Sequence, residues 1–560
     1  MLILADFLDS LLRGAVLASL SLVLGSVAWG LWILRAPSGR APAPSVRRCL
    51  GLLTTGAVAL AVGQVALLGL KSHVLSVSLG RDALADFAGT QHFEAGAARA
   101  LLALAMAGVG GMLWWGCGAA RSSALARSSG AAMSGRRSGA GLSWAVMAFL
   151  ACLIAASGAW LTHAAGRLEH RPLLMALTVV HQVCAAVWVG GLVQLLGLWR
   201  LARRDAEIDA AWPVLVGRFS RLALVAVAAL VVVSVPLTWT YTGTIGGLVG
   251  TGYGSLVLTK AMLLAATLVL AAANFGAARR AGRGALRGRL PYLVEAEAIL
   301  VVMMLFAATA LSAQPPPADQ SPAEQATVRE VLEVFRPKIP SLHTPSVDTM
   351  RQERTVAAVG RERSREAYLW SNFSHNVAGL IVLGMSILAL AGLVGRSAWS
   401  RYWPLGFVLL AAFIYLRAAA NEGTWPFGTI PLWQIDAEGI QHRLAAILVL
   451  ALGILEWRAR SRQEAGGILP YIFPALAAAG AVLLLTHSHT AFQLKSSFLV
   501  QVTHTTMGAL AGVLAAARWL DLRLARPARR IAEAAAGAAL LAIALILVFY
   551  REANVILPPG

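Results

Sequence analysis

A chain of 560 residues that is 58% hydrophobic and only 13% charged, with a mean hydropathy of +0.69, has too little polar surface for a soluble protein of its length. It is therefore read as an all-α polytopic membrane protein; its net charge of +20 would suit nucleic acid, but the arginines sit in short loops between apolar runs, which fits lipid headgroups and excludes a nucleic-acid partner. The four cysteines, Cys49, Cys117, Cys152 and Cys184, form no CxxC pair, which excludes a disulfide scaffold and a zinc knuckle.

A helix that crosses a bilayer needs roughly 17–25 mostly apolar residues. Fourteen runs meet that need, near 14–35, 50–70, 97–116, 143–162, 173–199, 219–240, 255–278, 292–312, 375–395, 404–420, 440–457, 469–486, 499–517 and 531–550. The first is preceded by Asp6 and Asp9 rather than by a basic stretch, so it is read as a retained helix and not a cleaved signal peptide. Counting Arg35 and Arg221 at the ends of the flanking helices, the loops after the odd-numbered helices carry 4, 4, 5, 5, 2, 3 and 5 arginines and no lysine, whereas 241–254 has no basic residue. By the positive-inside rule the odd loops face the cytoplasm and both termini face the periplasm. Residues 313–371 break the apolar pattern with Pro315, Pro316 and Pro317, high charge and a short amphipathic helix expected around 322–336. The expected organisation is an eight-helix membrane domain 1–312, a periplasmic linker 313–371 and a six-helix membrane domain 372–560.

With that orientation the eleven histidines fall at outward helix ends or in outward loops, and only His181 lies deeper, about eight residues or roughly 12 Å into the fifth helix. Imidazole is the commonest protein ligand for transition metals and haem iron, so a one-sided set points to a metal or haem centre facing one compartment. The plainer alternative is that histidine tolerates interfaces and is merely kept out of arginine-rich loops. In the first half His181, Cys184 and Trp188 share one helix face. An imidazole and a thiolate one turn apart suit a soft ion such as Cu(I), and Gly190 and Gly191 would let a neighbouring helix approach closely. A histidine hydrogen-bonded across a helix contact, with Cys184 as core filler, is the structural alternative. His73, His92, His163 and His170 are the outward candidates for metal capture, and His343 in the linker is read as a solvated side chain.

The order of residues along the next stretch carries a resemblance. Arg218-Phe219-Ser220-Arg221 opens a helix, Thr251-Gly252-Tyr253-Gly254 leads to Lys260, Asn274 closes the seventh helix, Pro291 with Glu295 and Glu297 opens the eighth, and Pro315-Pro316-Pro317 follows. From about His181 to Pro317 this resembles the copper-resistance protein D family (CopD/PcoD) of bacterial inner-membrane proteins. The resemblance implies an inner-membrane protein that moves copper across that membrane with a periplasmic copper-binding partner, CopC-like in kind. It does not fix the site: Lys260 can snorkel to the outer face, and Glu295 and Glu297 can pair with the arginines of the inner face.

In the second half His375 opens the ninth helix, His442 the eleventh and His504 the thirteenth, and His487 and His489 close the twelfth. Gln441-His442-Arg443-Leu444-Ala445-Ala446 resembles the helix start of haem A synthases, in which a second histidine opens the next helix but one, as His504 does here. That resemblance implies a b-type haem held by His442 and His504, with His375 as a further candidate. His487 and His489 beside them offer direct copper binding instead, and polar caps on helix ends are the third reading. The outward loop with Trp425, Phe427 and Trp433 is read as an aromatic belt lying on the membrane surface.

None of the four lysines, Lys71, Lys260, Lys338 and Lys495, follows a glycine as a P-loop requires, and no inward loop is long enough for a nucleotide-binding domain. These absences weigh against ATP-driven pumping. An inward-negative potential favours cation uptake by about 2.3 kcal/mol per charge per 100 mV. The leading reading is copper uptake or copper resistance through a histidine-lined path. The competing reading is a membrane haem protein acting as a cupric reductase or electron carrier, and the third is a chaperone-docking protein without transport.

Overall fold

The computed structural model describes residues 2–36, 39–40, 42–126, 135–350, 352, 365–395, 398–435, 437–462, 467–486 and 495–552. Among the described residues fourteen helices are long and apolar enough to cross a membrane, as the apolar runs predict. They are α1 (Leu2–Ala28), α2 (Ala43–Leu79), α3 (Gln91–Ala126), α4 (Gly135–Ala159), α5 (Arg171–Ala202), α6 (Ala206–Thr242) and α7 (Gly252–Gly288). The remaining seven are α8 (Leu290–Ser312), α9 (Arg365–Val394), α10 (Gly406–Glu422), α11 (Ala437–Arg462), α12 (Leu469–Thr486), α13 (Lys495–Arg523) and α14 (Ala528–Val548). The strand pairing of Arg35–Ala36 with Gly39–Arg40 is a tight reversal before α2, and the protein is an all-α polytopic membrane protein.

Hydropathy places several helix starts too late. It detects where side chains are apolar enough for lipid, whereas a helix continues wherever its backbone hydrogen bonds can, including through polar residues beyond the apolar run. α9 begins at Arg365 and α13 at Lys495. His375 and His504 therefore sit ten and nine residues inside their helices rather than at the starts, and His442 sits five residues inside α11. That correction changes their chemistry, because a histidine inside a helix has no orphan backbone donor to cap.

Contacts divide the chain into two compact units. The first comprises Met1–Tyr241 and Asn274–Ala298. Its core is built from Val23, Leu53, Leu60, Met106, Met147 and Ile154, all fully buried. α1 and α5 meet backbone to backbone at Gly25 and Gly190. Nearby, Gln194 Nε2 donates to Ser26 Oγ at 2.7 Å and the Cys49 thiol donates to the Ser26 carbonyl at 3.3 Å, a polar clasp across α1, α2 and α5.

The second unit comprises Thr242–Ala273 and Ile299–Gly560. Its core joins Val382 and Met385 of α9, Phe407 of α10, Phe473 of α12, Ala515 of α13, and Leu540 and Ala544 of α14. Part of the segment after α8 is docked on this unit. The short helix Val328–Phe335 starts with a Thr327–Glu330 capping box and lays Val331 and Val334 on Phe498, Leu499 and Val502 of α13. Lys495 Nζ reaches Glu330 at 2.7 Å, and Asn376 Oδ1 accepts the Ser341 backbone N–H at 2.6 Å. His343 is exposed, as are Trp425 and Trp433, but Phe427 packs with Met350, Trp370 and Ala420. At the arginine-rich end, fully buried Glu456 of α11 binds Arg518 of α13 at 2.8 Å and Arg460 at 2.7 Å.

Candidate functional site

Two histidine loci emerge, one in each unit. In the first, His181 lies ten residues inside α5 and is half-buried, with Nδ1 3.1 Å from Ser234 Oγ of α6. Ser234 also donates to the Leu230 carbonyl at 2.6 Å. A hydroxyl has one hydrogen, so with that hydrogen on Leu230 the oxygen accepts from His181 Nδ1–H, which leaves the imidazole lone pair on Nε2. Pro236 follows two residues later inside α6. It has no N–H for the Val232 carbonyl, so the backbone beside His181 is locally loosened. Cys184, one turn along α5, packs with Ala28, Val187, Leu222 and Ala226, the surroundings of a small core side chain. Trp188 is buried on the same face.

Polar residues crowd the same bundle. Arg99 of α3 is buried and its Nε donates to Ser157 Oγ of α4 at 3.3 Å. Gly158 lies under the Arg99 guanidinium and the Gln182 side-chain amide, and a Cβ there would meet them at 2.3 and 2.4 Å. His92, at the start of α3, has Nε2 2.9 Å from Lys71 Nζ; the ammonium can only donate, so this nitrogen is an acceptor engaged with lysine. His163 opens the short helix His163–Gly166, its ring edge-on to Tyr241 with centroids 6.4 Å apart. His73 is exposed, and exposed His170 precedes α5 in a left-handed conformation with φ 52°. These four histidines stand in separate surroundings rather than as one cluster.

In the second unit the imidazole seated on His504 is that of His375, with ring centroids 5.7 Å apart and planes at 88°. Tyr550, just past α14, stacks on His375 at 4.0 Å and stands edge-on to His504 at 6.3 Å. His375 Nδ1 lies 2.9 Å from the Ser371 carbonyl, and His504 Nδ1 lies 3.0 Å from the Val500 carbonyl. A carbonyl can only accept, so both Nδ1 atoms carry hydrogen, and in the neutral form of each ring the lone pair is on Nε2. Glu552 is buried and accepts hydrogen bonds from the hydroxyls of Ser371 and Tyr550, the latter at 3.0 Å. Asn372 Oδ1 accepts the Glu552 backbone N–H at 2.8 Å. Asn376, fully buried, donates to the carbonyls of Leu547 and Tyr550 at 3.1 and 2.9 Å and pins this terminal segment to α9.

His442 is half-buried on α11, beside Arg443, whose guanidinium binds Glu422 of α10 at 2.7 Å. His487 and His489 lie outside the described residues. Glu295 and Glu297 are buried on α8. Among the described residues no three His, Cys, Asp or Glu side chains converge as a ready metal-binding group. Sequence reasoning missed Ser234, Ser371, Tyr550 and Glu552. Only Tyr550 and Glu552 left a trace, as polar residues closely following an apolar run.

Residues 213–311 match the family model CopD, Copper resistance protein D. The match lies within the 181–317 stretch that carries the sequence resemblance and contains Ser234, Pro236, Lys260 and Pro291. No curated protein and no solved structure matches the chain.

Proposed function

Taking as premise a multi-pass membrane protein with a copper resistance protein D segment at 213–311, we propose that the chain carries copper across the bacterial inner membrane. Copper is the cargo. The arginine-poor face is periplasmic, a periplasmic copper-binding protein of the CopC kind delivers the ion there, and His181 receives it inside the bundle. Movement is inward and without ATP, driven by the membrane potential acting on a cation. One observation carries this reading: His181 is hydrogen-bonded to Ser234, a residue of the matched segment, in the sense that leaves Nε2 as the ligating atom. Cys184, one turn further along α5, is the next soft donor on the path.

Copper flux into proteoliposomes, driven by an inward-negative potential, tests the proposal. His181→Ala is expected to lower the initial rate at least about tenfold, the effect of removing one ligand orienter or more. Ser234→Ala should lower it less, because the imidazole remains but its orientation is lost. Equal flux in wild type and His181→Ala would overturn the path. The competing reading, a b-type haem on His442 and His504 serving cupric reduction or electron transfer, calls for a bis-histidine Soret band in the purified protein.

A further inference from the structure

We propose that His375 and His504 form a copper(I) site in the second unit, separate from His181 and built to retain the ion rather than pass it on. The first argument is position. Polar caps satisfy orphan groups at helix ends, yet these histidines sit ten and nine residues inside α9 and α13. Their Nδ1–H groups bond to carbonyls of Ser371 and Val500, four residues earlier in the same helices, at 2.9 and 3.0 Å. Those carbonyls already have intrahelical donors. The bonds therefore do little for the backbone, and their effect is on the rings: each tautomer is fixed and Nε2 is made the lone-pair atom, the arrangement that orients metal-bound imidazoles.

Spacing is the second argument. With metal–imidazole bonds of about 2 Å, and ring centroids ~1.1 Å behind the ligating nitrogen, two imidazoles on one ion have centroids roughly 5–6 Å apart between tetrahedral and linear geometry. The observed separation is 5.7 Å, with the ring planes nearly perpendicular. Zinc takes four ligands, whereas copper(I) is content with two or three, and the described residues supply no group of three.

Rigidity and charge complete the case. Tyr550 stacks on His375, His504 is 7% exposed, and Asn376 holds the terminal segment in place through the Leu547 and Tyr550 carbonyls. The Glu552 carboxylate is joined to the backbone that orients His375 through the Ser371 hydroxyl. One carboxylate matches one monovalent cation, the balance a poorly solvated site requires.

Anaerobic titration of the purified full chain with Cu(I), read by competition with a chromogenic Cu(I) chelator, tests this. His375→Ala and His504→Ala are each expected to lose one bound equivalent, or to weaken it at least 100-fold, with proteoliposome flux retained. His181→Ala should keep that equivalent, which separates failure of this site from failure of the transport path. Tyr550→Phe keeps the stack but loses the bond to Glu552, and should weaken the site about tenfold or less. X-ray absorption of the copper-loaded wild type, which needs no variant to fold, should show imidazole nitrogen as the first shell. Unchanged stoichiometry in a monodisperse His375→Ala/His504→Ala double variant overturns the proposal. So does a wild-type copper shell without imidazole, or a Soret band that disappears in His504→Ala.

Discussion

Replacing Gly190 by alanine separates packing from propensity in the first unit. A Cβ on Gly190 would stand 2.0 Å from the Ser21 carbonyl oxygen and 2.9 Å from the Gly25 Cα. A close carbon–oxygen contact between packed helices is about 3.3 Å, so α1 and α5 must part by roughly 1.3 Å. A gap of that size forfeits about half or more of the dispersion attraction at each opened contact. The contacts at stake include buried Leu20, Val23, Leu24 and Val27 of α1 and the Ser26–Gln194 clasp one turn from Gly190. Overpacking of this kind costs about 1–3 kcal/mol and can cost more. With the clasp strained as well, ~3 kcal/mol is expected, or a fall in Tm of roughly 6–12 °C at about 2–4 °C per kcal/mol. Gly108 of α3 is the control: nothing lies within 4 Å of a Cβ added there, so alanine should leave Tm unchanged or raise it slightly. Thermal unfolding of the detergent-purified variants decides the matter. A wild-type Tm for Gly190→Ala would refute the backbone contact, and equal falls for both variants would refute the packing explanation.

Two further outcomes follow from charged groups. Glu456→Ala removes the carboxylate 2.8 Å from Arg518, whose side chain is 9% exposed, but Arg518 keeps its second buried partner, Asp521. The cost should therefore stay below that of a fully unpaired buried charge, about 3–5 kcal/mol, and come to about 1–3 kcal/mol in the same melt; Glu456→Gln should recover part of this. Burial raises the Glu330 carboxyl, but hydrogen bonds from Lys495 and Thr327 outweigh it and hold its pKa below the ordinary carboxylate value. Its contribution is therefore present above the unfolded-state pKa of about 4.3 and is lost as pH falls through the lower folded value. Hydrogen exchange of 328–335 should be pH-independent from neutral to about pH 5, after correction for intrinsic rates, and should loosen below that range. Glu330→Gln should flatten the profile. The side chain is 35% exposed, so the effect stays below about 1 kcal/mol.

What was legible in the sequence is what one helix decides by itself. Fourteen spans could be read because each must be apolar over a bilayer's width, and the Gly190–Gly191 pair announced a close helix contact that α1 supplies. The matched family segment was legible as an order of residues, without any of its contacts. What several helices decide together was not. His504 could be compared with His442 by depth alone, and the partner the fold gives it, His375, lies 129 residues away on α9. Ser234 looked like any small residue of an apolar helix until α5 brought His181 against it.

The two loci also differ in a way that spacing could not reveal, namely in what holds the second ring nitrogen. At His375 and His504 it is a backbone carbonyl, which can only accept, so the neutral ring has one tautomer, with its lone pair on Nε2, as long as the helix stands. At His181 it is a serine hydroxyl, whose rotation away from Leu230 would reverse the bond and move the lone pair from Nε2 to Nδ1. A ligand that can surrender its lone pair by one hydroxyl rotation suits an ion in transit, and one locked by a carbonyl suits an ion that stays. Removing the hydroxyl should therefore alter copper flux more than copper stoichiometry, and removing either locked imidazole should do the reverse.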